Sequence, residues 1–364
     1  MDMSFDLNDL GALFELSRDA VIGLDDNRIC FVNPQARSLF GLSCEMAAEE
    51  ILPAELLEEQ ADRFVTRCRV KGRFCTVSVR RLENIRLLCL SEQEDASVFQ
   101  PFSPNMKAVR EMSDSLMELR LAMNAILQKC EPDTKKKLTG YAAILYRDYF
   151  RLQRLCGHLS TAVNISEGTL PYSPGVVQLD TTLRDLTESI NTFSDSFRAS
   201  LRLNISPAHY STYADEKQIE TMVLNLITNS LLHCEKGDVV TVSLQRKNNR
   251  FILSVDDNGS GMSADKLMHA FDGKAPSELS DSTAGAGLGL YVAQGIAEKH
   301  GGNILIESRP DGGSRVRVSL PYREPPILSF HSPLPPDTVG SMNLIITELS
   351  VLLPESCYIS RFLD

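Results

Sequence analysis

The 364-residue sequence has no Cys-x-x-Cys pair and no histidines at metal-ligand spacing. Its nine cysteines, an odd number, are scattered from Cys30 to Cys357, and its six histidines begin only at His158. No metal site and no disulfide framework can be read from them, and the cysteines are expected to be reduced thiols in a cytoplasm. Long apolar runs are missing too. The stretch from Met342 to Leu353 is broken by Asn343, Thr347 and Glu348 and falls short of the ~20 residues a bilayer requires, so no membrane span is expected. Positive charge is in deficit, with 37 Lys and Arg against 48 Asp and Glu, a net charge of −11. This argues against a direct nucleic-acid partner, because neutralising phosphates takes a clustered basic excess. The opening Met1-Asp2-Met3-Ser4 lacks a basic segment followed by an apolar core, so no signal peptide is expected. The rest is ordinary globular material. With 43% hydrophobic and 23% charged residues, wholesale disorder and fibrous repeats are excluded, and the length predicts two or three domains.

Four segments follow along the chain. In residues 1–95, Ala20 to Leu24 and Arg28 to Asn33 read as two short strands joined by the polar turn Asp25-Asp26-Asn27, with a helix starting at Pro34. Phe74 to Val79 and Ile85 to Leu90 read as a second hairpin, and Glu45 to Glu59 as helical. The order strand, turn, strand, Asn33-Pro34, short helix, Phe40-Gly41 resembles the start of a PAS sensor domain. The segment contains no histidine, so a His-ligated haem is excluded there. Residues 103–168 change to heptads: Val109, Met112, Leu116, Leu119, Met123 and Ile126 on one helix, then Leu138, Ala142, Leu145, Tyr149, Leu152, Cys156, Leu159 and Val163 on a second. A lone hairpin cannot bury two such seams, which predicts a dimeric four-helix bundle and hence a homodimer; an intramolecular helical spacer is the alternative. Residues 175–323 read as an α/β domain, with strands Val239 to Gln245, Phe251 to Asp256, Asn303 to Glu307 and Arg315 to Leu320 and helices near Glu216 to His233 and Leu290 to His300. Residues 324–364 are a Pro-rich linker and an amphipathic helix carrying Met342, Ile345, Ile346, Leu349, Leu352 and Leu353, expected to dock on the chain's own core ahead of a partner.

Three motifs in the α/β segment carry chemistry. Asn225 and Asn229 stand four residues apart, hence on one helical face, where amide oxygens reach a hard cation and amide N–H groups a phosphate. Asp257-Asn258-Gly259-Ser260-Gly261 follows a strand: a carboxylate there can accept the exocyclic amine of adenine, and the glycines let the backbone approach the ring. Gly285-Ala286-Gly287-Leu288-Gly289 opens a helix, so that free N–H groups and the positive helix end face a polyphosphate. A Rossmann reading of this loop is disfavoured, because no alternating βαβ series follows it.

In this order the motifs resemble the N, G1 and G2 boxes of the histidine kinase ATP-binding domain, of the superfamily shared with gyrase and MutL. The overall fold class implied is a multidomain α+β protein: a PAS-like α/β domain, a helical hairpin forming a dimeric bundle, and an α/β-sandwich ATP-binding domain. The resemblance implies ATP and Mg²⁺ as cofactors. Asn229 would hold Mg²⁺, Asn225 would support the phosphates, and Asp257 with Gly259 and Gly261 would read adenine. Gly285, Gly287, Leu288 and Gly289 would form the triphosphate loop, Phe271 fits the F box, and Ser263 to Ala284 would be a mobile lid. Leu232 stands where the family has Lys or Arg, and the neighbouring His233 would replace that contact only in part.

The same resemblance exposes a departure. Where the family's acceptor helix reads His-Glu-Leu-Arg-Thr-Pro-Leu-Asn, this chain reads Met117-Glu118-Leu119-Arg120-Leu121-Ala122-Met123-Asn124. A thioether has no nitrogen lone pair to form a phosphoramidate, so autophosphorylation is expected to be lost at Met117, and Glu118, the general base of active relatives, has no proton to remove there. Leu121 replaces the polar residue used in dephosphorylation. His158, the one remaining histidine of the helical segment, is expected to be a surface residue. The leading expectation is an ATP-binding, cytoplasmic, histidine kinase-like signalling protein that partners a response regulator or a competent kinase. The alternatives are a protein kinase using an unconventional acceptor or a partner in trans, and a dimeric scaffold.

Overall fold

The computed structural model describes residues 14, 17, 19–44, 46–59, 61–82, 84–92, 106–262, 267, 270, 271, 287–309, 312–324 and 338–362. The N-terminal unit is an antiparallel sheet in the order β2-β1-β5-β4-β3, built from β1 (Ala20–Asp25), β2 (Arg28–Val32), β3 (Arg63–Val70), β4 (Arg73–Leu82) and β5 (Ile85–Glu92). Its tight turns use successive left-handed residues, Asp26 and Asn27 (φ 41° and 65°) and Lys71 and Gly72 (φ 50° and 84°), whose twist matches that of the flanking strands. Helix α1 (Pro34–Phe40) explains the Asn-Pro signal: Asn33 Oδ1 accepts the Ala36 amide at 2.9 Å and also the Val21 amide of β1 at 2.9 Å, while Pro34 fills the first helical position. Gly41 closes the helix in the left-handed region at φ 62°. A short helix α2 (Ala54–Glu58) precedes β3.

Strand β3 lies outside the strands expected from periodicity. Phe64, Val65 and Thr66 are buried in succession because the strand is covered on both faces where it joins a second sheet. It pairs antiparallel with β11 (Asn303–Ser308) through Thr66 with Leu305, Val65 with Ile306 and Phe64 with Glu307, which makes one ten-stranded sheet. Thr66 Oγ1 donates to the Ile304 carbonyl at 2.8 Å and accepts from Asn303 Nδ2 at 3.0 Å.

Helices α3 (Met106–Lys129) and α4 (Pro132–Ser166) form a hairpin broken at Glu131-Pro132, as the sequence predicts. The heptad stripes are divided, and the hairpin on its own covers only part of each. On α3, Val109 and Met123 are buried and Leu116 packs on the core, while Met112, Leu119 and Ile126, offset by three residues, are exposed. On α4, Ala142, Tyr149, Cys156 and Val163 are buried, while Leu145 and Leu152 are exposed. One heptad position closes the hairpin and the other is left as an apolar outer face.

The α/β unit begins with β6 (Gly175–Gln178), which pairs with β8 (Ser211–Ala214). The main sheet runs β11-β12-β10-β9-β7, with β7 (Ser200–Ile205) parallel to β9 (Val239–Lys247), and β10 (Arg250–Asp257) and β12 (Ser314–Pro321) antiparallel to their neighbours. Helices α5 (Leu179–Asn191), α6 (Glu216–Leu232) and α7 (Gly289–Lys299) pack on this sheet. Along β12 the buried residues Ser314, Val316, Val318 and Leu320 alternate with Arg315, Arg317 and Ser319, the period-2 pattern of a sheet covered on one face. The chain ends in α8 (Thr338–Leu349) and α9 (Ser356–Phe362), which dock on the protein's own core as expected; the Pro-rich residues 325–337 lie outside the described residues. This docking overturns the surface assignment of His158: it is 6% exposed, and its Nε2 lies 3.1 Å from the Glu348 carboxylate of α8.

Candidate functional site

The candidate site lies where α6, the end of β10 and the start of α7 meet. Helix α6 is anchored at its N-cap, where the Asp215 carboxylate accepts the Gln218 amide at 3.2 Å and the Ser173 amide at 2.8 Å. The Asp215 amide donates to His300 Nε2 at 3.1 Å, and His300 Nδ1 donates to the Ile296 carbonyl at 2.8 Å. Burial lowers the His300 pKa, which keeps the ring in the neutral form that can accept at Nε2. The start of α6 and the end of α7 are thereby pinned together.

Asn225 is buried on α6; its Nδ2 donates to the Thr221 carbonyl at 2.9 Å. Its Oδ1 has no protein partner among the described residues and faces the first residue of α7: a Cβ built on Gly289 would lie 3.0 Å from that oxygen. With any larger residue there, the Asn225 side chain would have to give by a few tenths of an ångström. Gly287 has φ 66°, a backbone conformation that favours glycine, and among the described residues no side chain caps the first amides of α7. Asn229 lies one turn beyond Asn225, half-buried. Leu288 is buried, its apolar side chain anchoring the helix start. Gly285 and most of residues 263–286 fall outside the described residues; Phe271 among them is described and is fully buried in the core.

At the end of β10, Asp257 is 3% exposed. Its Oδ1 accepts the Gly259 and Ser314 amides, each at 3.1 Å, and its Oδ2 accepts the Ser314 hydroxyl at 2.6 Å. Gly259 packs against the end of α6, where an added Cβ would sit 2.5 Å from the His233 carbonyl. The His233 side chain is exposed. Gly261 is left-handed at φ 69°, and its Cβ would press on the Gly313 backbone at 3.0 Å. Cys234 is buried beside Asp257 and Asp238; burial first, and those two carboxylates second, push its thiol up to about 12, so it lines the site as an inert apolar group.

Ser314 and Gly313 escape the motif reading. A Cβ on Gly313 would fall 2.1 Å from the Asp257 carbonyl, so the strand can approach only as glycine. The signal available in the sequence is Gly312-Gly313-Ser314 opening the last strand. Arg309 and Arg315 both pair with Asp256, the neighbour of Asp257, and hold the outer face of the strand end.

Met117 and Glu118 stand apart from this cluster, on the exposed side of α3, where Met117 is 64% exposed. The adjoining segment is tied to α4: Tyr146 donates to Asn124, and the Arg120 guanidinium lies 5.7 Å from the Tyr149 ring centre. Among the described residues, no three His, Cys, Asp or Glu side chains gather to hold a metal, and no helix is long and apolar enough to cross a membrane.

Comparison with known proteins places two families on the chain. Residues 214–324 match the histidine kinase-, DNA gyrase B- and HSP90-like ATPases, and residues 8–97 match the PAS fold. Sensor histidine kinase RppB of Synechocystis sp. is 26% identical over 231 residues, 63% of this chain and 50% of its own. Adaptive-response sensory kinase SasA of Microcystis aeruginosa is 31% identical over 143 residues, 38% of this chain and 36% of its own. The chain thus spans half or less of the length of these curated relatives. Full-length ShkA solved with AMPPNP is 19% identical, with a TM-score of 0.47 over 59% of this chain and 46% of that one.

Proposed function

We propose that this chain, which joins the PAS and ATPase domains of a multidomain sensor histidine kinase, binds ATP with Mg²⁺ and signals without phosphorylating its own helix at Met117. Asp257, held rigid by Ser314 and the Gly259 amide, presents its carboxylate edge to the exocyclic amine of adenine. Gly259 and Gly261 leave room for the ring. The first amides of α7, with Gly285, Gly287, Leu288 and Gly289, take the phosphates, where the positive helix end favours an anion. Asn229 holds Mg²⁺. Asn225 supports the phosphates and offers the orphaned Oδ1 as a further hard oxygen. His233 stands in, when protonated, for the basic residue that Leu232 replaces, and Phe271, buried in the core, takes the F-box position. Bound Mg·ATP supplies a transferable γ-phosphoryl group.

The observation that carries this reading is the buried Asn225 Oδ1, which has no partner among the described residues and is aimed at the start of α7. A buried polar oxygen is costly without a partner, and a phosphate-bound hard cation or its water would satisfy it. Calorimetry tests it: Mg·ATP should bind the purified chain, and Asn225→Leu should abolish binding while the protein stays folded. Absence of binding to the wild-type chain would refute the reading.

The proposed state is a homodimer through the outer heptad face of Met112, Leu119, Ile126, Leu145 and Leu152, all exposed in the single chain. Output would pass by nucleotide-dependent conformation to a response regulator or to a competent kinase, from a cytoplasmic location. Phosphorylation of an unconventional acceptor or of a partner in trans is the competing reading. Incubation with γ-labelled ATP and candidate partners separates the two.

A further inference from the structure

The C-terminal helices touch two bodies at once. Toward α4, the Glu348 carboxylate is 4% exposed, accepts Arg154 Nε at 3.0 Å and lies 3.1 Å from His158 Nε2. Arg151 Nε donates to the Ser350 carbonyl at 3.2 Å, and Arg147 pairs with Glu355. Residues 147, 151, 154 and 158 recur at helical spacing, so the tail covers one basic stripe along α4. Toward the ATPase domain, α8 packs on α5 and α6. Ile345, Ile346, Leu349 and Leu353 are buried in the core that contains Leu186 and Met222, and Cys357 Sγ lies 3.2 Å from Ser196 Oγ.

The last helix also reaches the Met117 segment at one remove. Tyr358 stacks on Phe150 of α4 with ring centres 5.8 Å apart and planes at 27°, and the Arg120 guanidinium of α3 lies 6.0 Å from the centre of the same Phe150 ring. A further joint between α4 and the ATPase domain is the Ile165 side chain, which fills the space over Gly295 of α7.

We propose that residues 338–362 are an intramolecular strap: they hold the ATPase domain in one orientation on α4, with Glu348 as the latch, and opening the latch frees the domain to turn. A carboxylate this buried is tolerated only with its Arg154 and His158 partners in place. Burial alone would raise the Glu348 pKa, but His158 and Arg154 outweigh it and hold it below the usual carboxylate range, so the latch contains the charged form. The strap thereby decides which way the nucleotide site faces relative to the Met117 helix.

Hydrogen exchange of the full chain without nucleotide tests it. Glu348→Arg sets a buried cation against Arg154 and removes the carboxylate partner of His158, and should raise amide exchange about tenfold or more in 342–353. It should do the same in the 167–174 connector and in 293–297 of α7. Arg154→Glu combined with Glu348→Arg restores an opposite pair and should return all three regions toward wild type. A rise confined to the tail, with connector and α7 unchanged, would make the tail a passive cover and overturn the proposal, as would failure of the double variant to restore protection. If Glu348→Arg does not fold, Glu355→Arg at the half-exposed rim pair supplies a milder opening: exchange must rise in 356–362 and in the connector together, and a rise in 356–362 alone again overturns it.

Discussion

Asp257 takes two hydrogen bonds from Ser314, the hydroxyl at 2.6 Å on one carboxylate oxygen and the amide at 3.1 Å on the other. The serine fixes the plane of the carboxylate, and with it the direction in which the aspartate can accept a third group. Asp257→Asn should weaken nucleotide binding by ~1.5–3 kcal/mol, the range for a hydrogen bond to a charged group. Ser314→Ala should weaken it in the same direction by about 1 kcal/mol. Calorimetric titration of both variants checks the order, and a Ser314→Ala affinity equal to wild type would deny the serine its positioning role.

The exposed heptad face predicts the assembly. Leu119→Asp with Leu152→Asp places charges at the centre of the proposed bundle seam without touching Met123, Tyr149 or the hairpin's own core. The expected outcome is conversion of a dimer to a folded monomer, read by light scattering at micromolar concentration with the helical circular dichroism retained. A wild-type chain that scatters as a monomer would contradict the dimer outright.

Met117 is exposed on α3 beside Glu118, so a histidine fits there without repacking. Wild-type protein should accumulate no acid-labile, base-stable phosphate, and Met117→His should become detectably labelled from γ-labelled ATP. Leu121 and Ala122 alter the local shape, and a misplaced reacting group can cost ~100-fold in rate, so slow labelling is the expectation. Label on His158 in the wild-type chain would overturn the assignment; that ring is buried against Glu348.

Glu220 predicts a pH dependence of stability. Burial first, with Glu216 and Asp185 adding repulsion beyond what Lys217 offsets, raises its pKa from 4.5 to about 7. Between those values the folded chain keeps a proton that the unfolded chain has released, so stability falls as pH rises through the window and the loss is complete above it. Glu220→Gln mimics the protonated form. It should stabilise the protein at pH 8 by about 1–2 kcal/mol after allowance for the part of the side chain still in water, and by little at pH 5. Thermal melts of both proteins at the two pH values decide it, and equal melting shifts at both would remove Glu220 as the cause.

Local order is what the amino-acid sequence by itself determined. The Asn33-Pro34 start and Gly41 stop of α1, the Asn225–Asn229 face, the glycines before α7 and the heptads of α3 and α4 all depend on neighbours within a turn or two, where spacing alone sets which side chains share a face. Contacts between distant segments were decided only by the tertiary structure. Ser314 meets Asp257 across 57 residues, Glu348 meets His158 across 190, and Thr66 meets Ile304 across 238. Periodicity shows that a helix has an apolar stripe but not which part of it another element will cover. For that reason the two heptads separate into a buried and an exposed half only once the hairpin closes, and a histidine that reads as surface becomes the partner of a buried carboxylate once α8 lies over it. Long-range pairing depends on which surfaces lose the most water when brought together, and that is a property of the folded whole.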